Sequence, residues 1–496
     1  MDNYIRPKLE VLDRHAVELI VEGAYDILKN PGFIVDNKEG LELMADAGAV
    51  VDFEKNTVRV NPVIIDRALS SAPSGFTIWD QTREAEAAQL EGDHVHFVTG
   101  GTAIFVQDYD TEEPRQPVTK DMIEHCTVMD ASKNITFSSA TFTLADVPKE
   151  IADTYRFFLS LLYSKKPVMA TSFSKEGYEV MKEMMVVMAE DESTLHEKPT
   201  HLFCVNISSP VHWSGLVCQN LIDASRDNLP IKVIPIPLGG GTAPVTHLGN
   251  LVQITAENIC GLLIQQAANP GGRFVYGGGP TVMDMRTGTS PMASVEALMM
   301  GTANTLIGKY LGLPTSTNIG RTDSKRVDMQ GGLESGMAMM MASLAGTNCI
   351  RGPGMLEYAT TQSLEKLVLD NEICGICLQA TKGMNITKET LAIDTIKELA
   401  HSSDGFLNSA HTFEWYQKEL YFPSELIDRF TRSAYVKKGS KNARERAHDY
   451  ALQILNDHKG GLEEGDPRRK ELFKVMKTHA KRHGQDQLPI EEFLKF

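Results

Sequence analysis

Between residues 96 and 351 the chain repeats one pattern: a short apolar run, then a longer segment of helical periodicity. The runs fall at 96–99, 135–139, 168–171, 202–206, 232–236, 274–277, 315–318 and 349–351. Helical patterns lie between them at 150–163, 178–188, 214–226, 248–268, 293–311 and 333–345. A period of roughly 30–40 residues is that of repeated βαβ units, whose crossover returns the chain to a parallel neighbour. About eight such units predict an α/β fold, a TIM (β/α)8 barrel. The competing arrangement is an open doubly wound sheet. That fold usually carries a phosphate-binding glycine fingerprint after its first strand, and Gly100-Gly101 is too short for one.

The repeat is flanked on both sides, which predicts three parts: residues 1–90, 91–392 and 393–496. In the first, Val17, Leu19, Ile20, Ala24, Ile27 and Leu28 form a helical stripe. Leu41, Leu43, Met44 and Ala47 suggest a second helix, and residues 50–60 alternate around Lys55-Asn56 as a short hairpin does. The C-terminal part is helical and charged, with Lys437-Lys-Gly-Ser-Lys-Asn-Ala-Arg-Glu-Arg446 as its densest run. Such a run reads as a solvated helical cap or, more pointedly, as a docking surface for a partner protein.

A formal charge of -16 excludes a general nucleic-acid binder, which needs a basic face. No apolar run approaches the roughly 20 residues that span a bilayer, and Met1-Asp-Asn-Tyr-Ile-Arg-Pro lacks a signal-peptide core, so the expected location is cytoplasmic. Seven cysteines are an odd number in a long chain and predict no disulfide framework. Cys374-Gly-Ile-Cys377 has metal-like spacing but sits in an apolar helical segment, 367–378, where small core cysteines are the simpler reading. With no H-E-x-x-H motif and no His/Cys pair of zinc spacing recognised, no metal ligand is expected. Helical surfaces and 22 methionines leave room for contacts in a homo-oligomer.

Chemistry gathers at the C-terminal ends of the runs. Asn318-Ile-Gly-Arg-Thr-Asp-Ser-Lys325 and Arg351-Gly-Pro-Gly-Met-Leu-Glu357 each leave a buried strand through glycine and end in polar side chains. In a barrel such tips share one mouth with Thr141, Thr143, Ser172, Phe173, Asn206, Ser208 and Tyr276. Arg321 and Arg351 suit a carboxylate or phosphate; Asp323 and Glu357 are electrostatic candidates, or internal partners of the arginines. Gly239-Gly-Gly-Thr-Ala-Pro-Val-Thr246 and Gly277-Gly-Gly-Pro280 follow strands directly, and Gly239, Gly240, Gly241, Gly277 and Gly278 would let a large flat cofactor approach the backbone, unless they only make tight turns. Lys325 is the one residue here that would suit a Schiff-base lyase, although Asp323 or Ser324 as a helix cap gives it a simpler setting.

Several of these segments resemble the trimethylamine methyltransferase superfamily, in its branch without pyrrolysine. The matching stretches are Pro235-Ile-Pro-Leu-Gly-Gly-Gly-Thr-Ala-Pro-Val-Thr246, Pro280-Thr-Val-Met-Asp-Met-Arg-Thr-Gly288, Thr322-Asp-Ser-Lys325, Asp328-Met-Gln330 and Gly346-Thr-Asn-Cys-Ile-Arg-Gly-Pro-Gly-Met-Leu-Glu357. Asp370-Asn-Glu372, Gly32-Phe-Ile-Val35, Asp46-Ala-Gly-Ala49 and the helical tail agree, so the resemblance covers nearly the whole chain. It implies a TIM barrel that moves a methyl group from an amine to the Co(I) of a corrinoid (cobalamin-type) carried by a separate cognate corrinoid protein. The archaeal trimethylamine enzymes carry pyrrolysine, whereas this chain has standard residues throughout, so it is closer in kind to glycine betaine methyltransferase. Other members of that branch act on proline betaine, carnitine or butyrobetaine. On this reading Arg321 or Arg351 would hold the betaine carboxylate, with Asn318 beside them. Phe173, Tyr276 or Tyr358 would face the quaternary ammonium. A non-catalytic betaine-binding protein is the remaining alternative.

Overall fold

The computed structural model describes residues 4–403 and 405–494, and within them strands and helices alternate as the periodicity predicts. His201–Val205, Ile231–Val233 and Phe274–Val275 pair in parallel, with Val168–Ala170 on the other side of His201–Val205. Ser316–Thr317 pairs in parallel with Cys349–Arg351, which pairs in parallel with His96–Val98. Three isolated parallel bridges join these groups: Val98 to Phe137, Ser138 to Val168, and Tyr276 to Thr315. Followed from neighbour to neighbour, the parallel pairings return to the strand they left. Elsewhere the pairing is mixed, as in the antiparallel Val50–Asp52 and Thr57–Arg59 hairpin expected at residues 50–60.

Alternation along each strand sorts its side chains into two layers. Leu202 and Cys204 join Val98, Phe137, Met169, Ile234, Val275 and Cys349 in one buried cluster. Phe203 and Val205 belong instead to the large cluster formed with the surrounding helices. Ile78, Ala88 and Leu90, from the Phe76–Trp79 and Glu86–Leu90 hairpin, complete the first cluster. Lys232 is the register partner of Cys204 and so shares its face, leaving one lysine wholly buried among apolar side chains.

The crossover helices match the sequence pattern closely: Ala152–Tyr163, Lys175–Ala189, Gly215–Arg226, His247–Ala268, Val295–Tyr310 and Met329–Leu344. Two more, Thr119–Ala131 and Leu364–Lys382, follow the first and eighth segments. Thr119–Ala131 escapes the periodicity because Thr119, Asp121 and His125 are buried polar residues on the face that should read as apolar. The N-terminal helix Arg14–Lys29 is capped by Asp13, which accepts from the Ala16 N–H at 2.8 Å, and buries Val17, Ile20, Val21, Ala24 and Leu28. These residues belong to the same large core as the crossover helices.

The charged C-terminal part does more than cover the surface. Ala447 and Ala451 of helix Ala443–Asp457 pack with Leu367, Val368, Cys374 and Cys377. Leu472, Met476 and Ala480 of helix Pro467–Arg482 are buried in the large core. All seven cysteines are buried and free. No helix among the described residues is long and apolar enough to cross a membrane.

Candidate active site

A cavity of about 470 Å³ opens where the C-terminal ends of the parallel strands meet their loops. Gly100, Gly101 and Thr102 follow the first strand and Thr171 to Phe173 the third, Cys204 to Asn206 span the end of the fourth, and Ile234 and Ile236 follow the fifth. Met292, Asn318, Arg321, Arg351 and Met355 complete the side that carries charge.

The cavity wall holds two guanidinium groups and no carboxylate. Arg321 is buried; its Nε donates to the Asn318 carbonyl at 2.6 Å, and Nη1 lies 3.9 Å from Met292 Sδ. Burial first, and then the nearby Arg351 charge, lower its pKa to about 10, so it stays a cation at neutral pH. Arg351 is half-buried and its Nε lacks a hydrogen-bond partner. No ion pair involves either arginine among the described residues. Gly101 makes room for Arg351, because a Cβ there would stand 2.1 Å from Nη2. Asn318 Oδ1 is buried without a donor. Two cations without an ion-pair partner among the described residues, on a wall without a carboxylate, make a site suited to an anionic group.

Asp323 and Glu357 do not line this cavity. Asp323 accepts from the Met292 and Ala293 N–H groups, each at 2.9 Å, and so holds the segment that carries Met292 to the wall. Desolvation raises its pKa. Glu357 accepts from Thr361 Oγ1 at 3.1 Å, within a turn whose three residues, Glu357, Tyr358 and Ala359, all have positive φ. Lys325 Nζ donates to the Asp323 carbonyl and to Tyr358 Oη, both at 2.9 Å, and lies 4.2 Å from the centre of the Tyr358 ring. Lys325 and Tyr358 therefore engage each other outside the cavity.

Phe173 is the one aromatic side chain on the wall. One of its faces is taken, since the Arg156 guanidinium lies 4.7 Å from the ring centre. Asp153 accepts from the Phe173 N–H at 2.6 Å and from Ser172 Oγ at 3.1 Å, fixing this part of the rim. Three expected mouth residues are corrected. Tyr276 is buried in the strand–helix layer, sharing a hydrogen bond of 3.0 Å with Thr255 Oγ1. Gly277 and Gly278 are packed against the neighbouring strand: a Cβ on the first would meet the Val233 carbonyl at 2.4 Å, and on the second the Pro235 carbonyl at 2.6 Å. Their lack of side chains serves strand packing. Gly239 is buried, whereas Gly240, at φ +87°, and Gly241 are exposed in a turn that does not line the cavity.

Sequence reasoning passed over Lys232, Arg156 and Asp153. The first was visible as a lysine inside the apolar run Ile231-Lys232-Val233-Ile234. Its Nζ has no hydrogen-bond partner, and burial lowers its pKa to about 8. Arg156 sits in a helix buried on nearly every side, where Nε and Nη1 lack partners.

Strand ends gathered around one basic cavity on a parallel α/β scaffold are the architecture of a small-molecule enzyme. Comparison with known proteins makes it a methyltransferase. The family model described as trimethylamine methyltransferase (MTTB) matches residues 3–474, and the chain belongs to that family. Trimethylamine methyltransferase MttB of Methanosarcina thermophila is 28% identical over 457 residues, covering 91% of this chain and 94% of that protein. A glycine betaine methyltransferase of Desulfitobacterium hafniense (strain Y51) is 27% identical over 454 residues, covering 91% and 93%. Among solved structures, the monomethylamine methyltransferase MtmB of Methanosarcina barkeri superposes with a TM-score of 0.52 at 11% identity, over 90% of this chain and 87% of that one. That likeness concerns the fold.

Proposed function

We propose that this methyltransferase takes a methyl group from a quaternary amine bearing a carboxylate, foremost glycine betaine, and passes it to the Co(I) of a corrinoid held by a partner protein. Dimethylglycine is the other product. The ring of parallel pairings is taken as a TIM (β/α)8 barrel, with residues 91–392 as the catalytic part. The observation that carries the reading is the pair Arg321 and Arg351 on a cavity wall without a carboxylate. A simple amine would find only like charge there, whereas a zwitterion brings the missing anion. The resemblance to a betaine enzyme supports the same class.

The Co(I) centre supplies the nucleophile. A quaternary nitrogen keeps the electron pair of the broken C–N bond and leaves as a neutral tertiary amine, so no residue has to donate a proton. What the chain contributes is position and the exclusion of water. Arg321 and Arg351 grip the carboxylate, with Asn318 beside them, and Asp323 holds Met292 in place. The methyl groups then point towards the open mouth past Phe173, whose free face suits an onium group.

The test is the anaerobic visible spectrum of Co(I) cobalamin with the protein and glycine betaine, proline betaine, carnitine, butyrobetaine or trimethylamine, repeated with a cognate corrinoid protein. Loss of the Co(I) spectrum with one betaine, in step with release of its demethylated product, is the expected result. Turnover of trimethylamine alone would overturn the substrate class. Tight betaine binding with no change at cobalt would leave a binding protein.

A further inference from the structure

Away from the cavity, the C-terminal helix Pro467–Arg482 ends against the first turn of helix Lys175–Ala189. Glu176, His479 and His483 meet there, their ligand atoms all within 4.8 Å of one another. His483 Nε2 stands 3.1 Å from one oxygen of Glu176, and His479 Nδ1 stands 3.5 Å from the other. The two imidazoles come from His479-Ala-Lys-Arg-His483, one in the last turn of the helix and the other at its C-cap.

We propose that Glu176, His479 and His483 form a binding site for a divalent transition metal of the zinc class, which fastens the C-terminal helix to the rest of the molecule. A second observation points to a ligand. His479 is 1% exposed, and both its ring nitrogens lack a hydrogen-bond partner. A buried imidazole with two unsatisfied nitrogens is costly. Two histidines and a glutamate are a common zinc donor set, with ligand bonds of about 2.0–2.2 Å. Atoms on a tetrahedron of that size lie roughly 3.3–3.5 Å apart; the two spacings to Glu176, 3.1 and 3.5 Å, already fit, and the two imidazoles, whose ligand atoms lie within 4.8 Å, close on the ion. Glu176 and His483 are partly exposed, which leaves a fourth position to water.

The place matters because Glu176 is three residues beyond Phe173, and Ser174 caps the same helix by accepting from the Gly177 N–H at 2.8 Å. A metal here links the end of the chain to the rim of the active cavity. Arg482, 3.4 Å from Glu176, offers the competing explanation, an ion-pair cluster that holds no metal. The pair His479 and His483 is visible in the sequence, but the third donor, Glu176, is remote from it and joins it only in the fold.

The experiment titrates Co2+ alone into the full chain, free of corrinoid, following the visible bands of tetrahedral Co(II) and the stoichiometry by equilibrium dialysis. One tightly held cobalt per chain, displaced by Zn2+, is the expected result. Its affinity should fall about tenfold or more in both His483→Gln and Glu176→Gln. These positions are partly exposed, so neither variant depends on repacking the core, and near-wild-type circular dichroism checks the fold. No bound cobalt, or an ion-pair cluster only, overturns the proposal. So does cobalt binding that both variants retain, which would place it away from this cluster. The outcome is independent of the substrate reading.

Discussion

At the scale of single residues, Arg321 and Arg351 reach the cavity wall with no ion-pair partner among the described residues. Truncating a buried, charge-assisted contact costs on the order of 2–5 kcal/mol. Arg321→Ala and Arg351→Ala should therefore each weaken glycine betaine binding by roughly thirtyfold or more, measured by calorimetry. Unchanged affinity in both would remove the carboxylate clamp. Lys232 makes a different prediction, about stability. Its ordinary pKa of 10.5 falls to about 8 in the folded protein. Between those values the unfolded chain binds the proton that the folded one has lost, so folding stability rises with pH across that window. The full span is worth about 3 kcal/mol. Urea unfolding near pH 8 and near pH 10 should show this gain in the wild type and its absence in Lys232→Met. Of these groups, the arginines were legible because each sits beside a glycine where a buried strand gives way to a polar tip. Lys232 was not, because a lysine in an apolar run signals a site only once register shows which way it points.

At the scale of elements, loops are held by buried acids reaching across from neighbouring helices. Asp370 Oδ2 accepts from the Gly354 N–H at 2.7 Å, and Oδ1 pairs with the buried ammonium of Lys366. This joins helix Leu364–Lys382 to the turn that follows Arg351. In the same motif Asn371 accepts from the Asn134 N–H at 2.9 Å, and Glu372 accepts from the Ser424 N–H at 3.3 Å. Asp370→Ala would leave Lys366 charged and unpaired inside the core. Its stability should fall by about 3–5 kcal/mol, read from the urea midpoint, whereas Lys366→Met/Asp370→Leu together should recover most of the loss. No recovery in the double variant, or no loss in the single one, would contradict this account. The helices themselves were legible wherever one face is apolar, as in Lys175–Ala189, and illegible in Thr119–Ala131, whose buried face carries Asp121 and His125.

At the scale of the whole molecule, the C-terminal part shares the core of the parallel sheet's helices. Leu472 is fully buried in the cluster that contains Tyr155 and Phe158. Leu472→Ala should cost about 2–5 kcal/mol and lower the melting temperature of one cooperative transition seen by calorimetry and by tryptophan fluorescence. A separate low-temperature transition that leaves the main one unmoved would mean that the tail folds on its own. The sequence by itself determined that strands and helices alternate, because period and hydrophobic alternation are local properties written into consecutive residues. It also determined the family, because the motifs that carry it are long and contiguous. Only the tertiary structure decided that Tyr276, Gly277 and Gly278 turn away from the cavity, that Asp323 spends its carboxylate on backbone groups, and that Glu176 meets His479 and His483. Those outcomes depend on which way a strand faces and on what a distant segment places beside it, and burial, charge and hydrogen bonding take their values only after the chain has closed.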